Sequence, residues 1–397
     1  MKKYVFLWLL LFFAGACGKY DGTEFSPERG LFGGLTDGKS AGSTPGGKPE
    51  GSGNHSEIQS GQITAGEWSD LKNWKFWNDL GQKQEFSGMP EYWSYNLNGR
   101  ISVTLKDNAN NKVVNIPVKL VDNKGAVLWE SVSDNSGNAE LWPSLKNGKN
   151  IGTADLKIVV GDETFPNPKP FSEGVNELKV KTKSNAVSKK IDIAFMVDAT
   201  GSMGDELEYL KVELVDIIQS VKEKNGSAII HTGTVFYRDK GDDYVTKKSD
   251  FTTDINQTVK FIKEQSASGG GDFPEAVHTA LKETLKGLQW SSNATSRVVF
   301  MVLDAPPHHE DQIISEMNEL IAHAAQKGIK LIPVVASGID KETEFLMRYT
   351  AIATNGTYVF ITNHSGIGND HLEPTVGEYE VELLNKLLVR LINSYLE

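Results

Sequence analysis

The sequence predicts an α/β protein built on a doubly wound, mostly parallel sheet, with a small all-β sandwich ahead of it in the chain. Three observations predict this. From residue 188 onward, apolar runs of strand length alternate with stretches whose apolar residues recur every three or four positions, the pattern of repeated strand–helix units. Between residues 98 and 183, short runs alternate in polarity with period two and are separated by Asn/Asp/Gly clusters, the pattern of short strands joined by tight turns. Finally, 397 residues, 39% apolar and 23% charged, suit a globular protein of more than one domain.

The α/β part opens with KIDIAFMVD, a continuous apolar run suited to a strand buried on both faces. MGDELEYLKVELVDIIQSVKEK then places Leu207, Leu210, Leu214, Ile217, Ile218 and Val221 on one helical stripe. SAIIHTGTVFYRD reads as the next strand and YVTKKSDF as an edge strand, followed by helices over 255–265 and 275–288. The alternation continues through strand SRVVFMVLD, helix 311–326, strand KLIPVVAS, helix 340–353 and strand TYVFIT. It ends in a closing amphipathic helix within YEVELLNKLLVRLINSYL, placed at 378–396.

Ahead of it, RISVTLKD, NIPVKLVD, AVLWESVSD, NAELWPSL, DLKIVVG and NELKVKTK predict a small antiparallel sandwich over 98–183. The stretch IPVKLVDNKGAVLWESVSDNSGNAELW resembles bacterial Ig-like or carboxypeptidase-regulatory-like modules, which implies a spacer without catalytic residues. Residues 63–97 carry Trp68, Trp74, Phe76, Trp77, Tyr92, Trp93 and Tyr95. Such rings fill a small core, with carbohydrate stacking as the alternative. Residues 18–62, rich in Gly, Ser and Pro, read as a flexible tether.

The chain begins MKKYVFLWLLLFFAGAC: two lysines, a short apolar run, then Ala14, Gly15 and Ala16 before Cys17, the sole cysteine. This is a secretory signal over 1–17, too short for a spanning helix. It resembles a bacterial lipoprotein signal, apart from Ala14 standing where that pattern usually has Leu. The resemblance implies that Cys17 is acylated and anchors the protein in the cell membrane or outer membrane. Lys19, Asp21 and Glu24 resemble the surface-export signals of some Gram-negative lipoproteins, which favours surface display. A net charge of −11 without a dense Lys/Arg run excludes nucleic acid as the expected partner.

In a doubly wound domain, ligands bind beyond the carboxyl ends of the strands. There the stretch FMVDATGSMGDEL supplies Asp198, Thr200 and Ser202 at alternating positions, hard oxygen donors at the start of a helix. Such donors suit a small divalent cation, Mg²⁺ first, with Mn²⁺ or Ca²⁺ as alternatives. Two further loops reach the same edge: GGGDFPEA brings Asp272, and VVFMVLDAPP brings Asp304.

DATGS, GGGDFPE and LDAPP together resemble a von Willebrand factor type A domain with its metal-ion-dependent adhesion site, over residues 188–397. By that likeness Asp198, Thr200, Ser202 and Asp304 are metal ligands, and Asp272 stands where the family usually has Thr. The resemblance implies an unidentified protein ligand bound through the metal, often completed by an acidic side chain of that ligand, and coupled to the closing helix. Thr200 in place of Ser keeps the hydroxyl. Asp272 in place of Thr either adds a third carboxylate, leaving little positive charge for an acidic ligand, or caps the next helix together with Pro274 and Glu275.

Other polar clusters carry less. Arg238, Asp239, Asp242 and Asp243 in YRDKGDD leave a strand toward the same edge and read as a solvated hairpin turn, with a place on the rim of the site as the alternative. His308, His309, His364, Asp370 and His371 lie in loops without helical zinc-site spacing and read as polar surface. There is no nucleophile elbow, no reactive cysteine and no Gly-Lys-Ser/Thr after GGGD, so the expectation is a binding protein and not an enzyme. The alternatives are a Mg²⁺-dependent hydrolase using Asp239 or His308 as base, and a structural envelope component whose ion only stiffens loops.

Overall fold

The computed structural model describes residues 58–145 and 152–397. Cys17, the lipoprotein signal and the tether as far as residue 57 lie outside the described residues.

The aromatic segment forms a strand, β1 (Thr64–Trp68), and two short helices, α1 (Trp74–Leu80) and α2 (Met89–Tyr92). Trp68, Trp77, Trp93 and Tyr95 are buried, as the core reading expects. Seven short strands follow: β2 (Ile101–Lys106), β3 (Pro117–Val121), β4 (Val127–Val132), β5 (Asn138–Leu141), β6 (Lys157–Val160), β7 (Glu163–Pro166) and β8 (Asn176–Lys179). They make two small sheets, ordered β5-β2-β8 and β4-β3-β6-β7. The expected antiparallel pairing fails at one place: β2 and β8 run parallel, with Val103 opposite Asn176. These two strands lie far apart in the chain, so no hairpin dictates their direction.

The α/β part comprises β9 (Val187–Asp198), α3 (Leu207–Lys224), β10 (Ile229–Tyr237), β11 (Thr246–Thr252), α4 (Ile255–Lys263), α5 (Val277–Lys282), β12 (Ala294–Leu303), α6 (Asp311–Lys327), β13 (Ile329–Val335), α7 (Lys341–Ala353), β14 (Tyr358–Ile361), β15 (Glu382–Leu383) and α8 (Leu384–Leu396). The main sheet is ordered β11-β10-β9-β12-β13-β14-β1-β15 and is parallel from β10 through β14. Side chains of β9 alternate between two cores. Ile193, Phe195 and Val197 join the cluster containing Leu207, Leu210 and Leu388 of α3 and α8. Ala194 and Met196 join the one containing residues of α5, α6 and α7. This two-sided burial explains the unbroken apolar run.

Two features depart from the expected plan. β1, well ahead of the α/β region in sequence, enters the main sheet between β14 and β15, antiparallel to both. The closing helix begins at Leu384, not at 378, because Glu382 and Leu383 pair with Ala65 and Thr64. From β9 the chain moves to β10 and β11 on one side, then returns to β12, β13 and β14 on the other. The crevice beyond the carboxyl ends of β9 and β12 is therefore the topological switch point, the place where such sheets bind ligands.

Candidate functional site

Asp198 is the last residue of β9 and Asp304 follows β12 directly, so the two carboxylates arrive from neighbouring strands. After Asp198 the chain turns sharply. Thr200 donates to Asp198 Oδ1 from its backbone N at 2.8 Å and from its hydroxyl at 2.7 Å. The Thr200 and Ser202 hydroxyls lie 3.0 Å apart. These bonds fix the turn, and among the described residues Asp198 Oδ2 and Asp304 Oδ1 have no hydrogen-bond partner. Asp198 is fully buried and Asp304 nearly so.

Backbone contacts knit the three loops together. Gly201 N donates to Gly269 O at 3.0 Å, Ser268 N to Ala199 O at 3.0 Å, and Glu275 N to Pro306 O at 2.9 Å. Gly269 and Gly270 both have positive φ, at 81° and 73°. A side chain on Gly269 would run into the Asp242 carboxylate, and one on Gly270 would meet Glu275 Oε1 at 2.9 Å and Thr200 Cβ at 3.3 Å. Only glycine combines that backbone conformation with this close approach. The loops enclose a small cavity lined by Ser202, Asp272, Phe273, Glu275 and Asp304.

The electrostatics are those of carboxylates crowded away from water. Burial pushes Asp198 above the usual carboxylate range, against the bonds from Thr200. It does the same to Asp304, with the charge of Asp198 adding to the effect and the Ser202 hydroxyl opposing it. Glu275 is pushed up to about 9, first by burial and then by Asp198, Asp239, Asp304 and Asp242. Such groups either take up protons or find a cation.

The structure thus brings Asp198, Thr200, Ser202 and Asp304 together. Asp272 reaches only the lip: it is exposed, although it lines the same cavity. Among the described residues no group of three or more His, Cys, Asp or Glu side chains is arranged to hold a metal. Nor does Asp272 cap a helix. The next helix starts at Val277, after Ala276, and has no side-chain cap. Just before it, Glu275 pairs with Pro307 in an isolated parallel bridge.

Glu275 is buried beside the aspartates and was not legible as a site residue. Its only sequence signal was the capping pattern, which the structure replaces. YRDKGDD is the turn between β10 and β11, exposed at Lys240, Gly241 and Asp243, and its base borders the site. Arg238 is buried and donates to Ala199 O and Ser266 O. Asp239 pairs with His308 Nε2 at 3.0 Å, and Asp242 Oδ2 accepts from Asp239 N and Gly270 N. His371 is not polar surface either: it is buried, with Nε2 3.0 Å from Glu206 Oε1, and Glu206 adds to the negative field on Asp304. His309 stacks on Tyr92 at 3.7 Å.

The family comparison agrees with this fold. Residues 192–367 match the family model described as von Willebrand factor A domain. The chain is 37% identical over 135 residues to an ariadne-like RING finger protein of Acanthamoeba polyphaga mimivirus, covering 33% of this chain and 13% of that protein. It is 29% identical over 231 residues to an alpha-protein kinase of Dictyostelium discoideum, covering 57% of this chain and 36% of the relative. The chain therefore spans only a minor part of either. Among solved structures, BatB from Bacteroides thetaiotaomicron aligns with a TM-score of 0.36 and 15% identity, over 52% of this chain and 98% of that one.

Proposed function

We propose that this chain is a cell-envelope lipoprotein whose A-type domain binds a protein partner through a divalent cation, Mg²⁺ first. One observation carries the reading: two buried aspartates at the switch point each keep one oxygen without a partner among the described residues, Asp198 Oδ2 and Asp304 Oδ1, beside two hydroxyls. A buried carboxylate oxygen without a partner is costly, and a hard cation is the group that the donor set suits. Asp198, Ser202 and Asp304 would hold the ion, with Thr200 fixing Asp198. When bound, the ion supplies a positive centre at an otherwise acidic edge.

The exposed position of Asp272 supports an acidic partner. With two aspartates at the ion and not three, charge is left over to attract a carboxylate. Phe273, 45% exposed beside the cavity, offers an apolar contact next to that carboxylate. Anchoring rests on Cys17 and its flanking sequence. Among the described residues no helix is long and apolar enough to cross a membrane.

The test immobilises the full chain and measures binding of peptides with a single Asp or Glu, in Mg²⁺ and in chelator. Binding lost in chelator and in Ser202→Ala supports the reading, whereas binding indifferent to both contradicts it. Replacing Cys17 by Ser should move the protein from the membrane to the soluble fraction.

A further inference from the structure

The likeness to the A-type family assigns no role to Glu275, yet this residue lines the same cavity as Ser202 and Asp304. We propose that Glu275 accepts a hydrogen bond from a water held by the cation, and that this contact favours Mg²⁺ over Ca²⁺. The proposal rests on the reading of Asp198, Ser202 and Asp304 as the ion's direct ligands.

Backbone contacts fix Glu275 against the loop that carries Asp304. Its N donates to Pro306 O at 2.9 Å, and the residue pairs with Pro307 in the parallel bridge. Glu275 is 3% exposed, and among the described residues its Oε2 has no hydrogen-bond partner. Its Oε1 lies toward the turn after Asp198: the position of a Cβ on Gly270 is 2.9 Å from that oxygen and 3.3 Å from Thr200 Cβ. The leading charges that act on Glu275 are all carboxylates, those of Asp198, Asp239, Asp304 and Asp242.

A buried acceptor oxygen among acids, without a donor, is costly. A water held by a divalent cation is a strong donor and brings positive charge with it. Mg²⁺ sheds its waters reluctantly and keeps several of them, whereas Ca²⁺ gathers more oxygens directly. A contact made through water therefore counts for more with Mg²⁺. It uses the Glu275 oxygen as an acceptor and not its charge, so an amide oxygen at the same place serves as well. The surplus positive charge of the ion then remains for an acidic partner.

The test titrates Mg²⁺ and Ca²⁺ calorimetrically into the full chain beside Glu275→Gln, Glu275→Met, Glu275→Leu and Asp198→Ala. Glu275→Gln should bind Mg²⁺ nearly as the parent does. Glu275→Met and Glu275→Leu should each weaken Mg²⁺ binding about tenfold, the loss of one hydrogen bond, and the parent's preference for Mg²⁺ over Ca²⁺ should narrow in both. A loop merely distorted by the substitution would lower both ions alike. An apolar side chain of similar size suits a buried position, and two apolar shapes guard against one that fails to fold, as circular dichroism checks. Mg²⁺ affinity unchanged in both apolar variants, or equal losses for the two ions, would overturn the proposal. Binding abolished in Glu275→Gln would also overturn it, by making the carboxylate a direct ligand. Saturable binding by the parent, lost in Asp198→Ala, keeps the metal reading in force through any of these results, whereas no binding by the parent overturns both.

Discussion

Asp70 and Arg348, 278 residues apart, form a two-pronged ion pair, with Arg348 Nη2 2.7 Å from Asp70 Oδ1 and Nε 2.9 Å from Oδ2. Both are buried, and Arg348 Nη1 also reaches Glu344 at 3.2 Å. The pair ties the residues after β1 to α7, so the aromatic segment is part of the α/β core. Stranding a buried charge outright costs about 3–5 kcal/mol; Arg348 keeps Glu344 when Asp70 is removed, so Asp70→Ala should lower stability by less than that in denaturant titration.

Excising the A-type domain as 186–397 removes β1 together with Asp70. β15 loses its strand partner, β14 loses its neighbour on that side, and Arg348 loses one of its two counter-ions, keeping Glu344. Such a fragment should aggregate or melt well below the full chain, whereas one starting near residue 58 should not. Side-by-side thermal melts decide this.

The glycine loop makes a sharper prediction. Gly270→Ala puts a Cβ against Glu275 and Thr200 at a φ of 73°, so metal affinity should fall at least about tenfold. The helical circular dichroism signal should remain, since the glycine lies outside every helix.

Stability should also depend on pH through Glu275. Its folded-state value of about 9 lies above that of the unfolded chain, burial being the main cause. The folded protein then holds a proton that the unfolded chain has released. On this account stability is greatest near the ordinary carboxylate range and falls as pH rises toward 9, by at most about 1.4 kcal/mol per pH unit. Glu275→Gln should flatten that decline when unfolding is measured in chelator from pH 5 to 9.

Much of this was legible in the sequence, for physical reasons. β9, β12 and β13 are buried on both faces and read as unbroken apolar runs. Asp198, Thr200 and Ser202 are local to one turn, so spacing alone brings them together. β1 was hidden because Gly66 interrupts it. A side chain there would collide with the Phe360 and Tyr379 rings, a close approach that only the folded sheet reveals. The same holds for Glu275, Asp239 and His371, whose burial is created by other loops. Asp272 carried the stronger signal in sequence, yet it sits at the lip.

The most direct measurement is calorimetric titration of Mg²⁺ into the full chain beside Asp198→Ala, Asp304→Ala and Asp272→Ala. The account predicts saturable binding that vanishes in the first two variants and persists in the third. Absence of binding to the parent chain, or binding retained in Asp198→Ala, would contradict it.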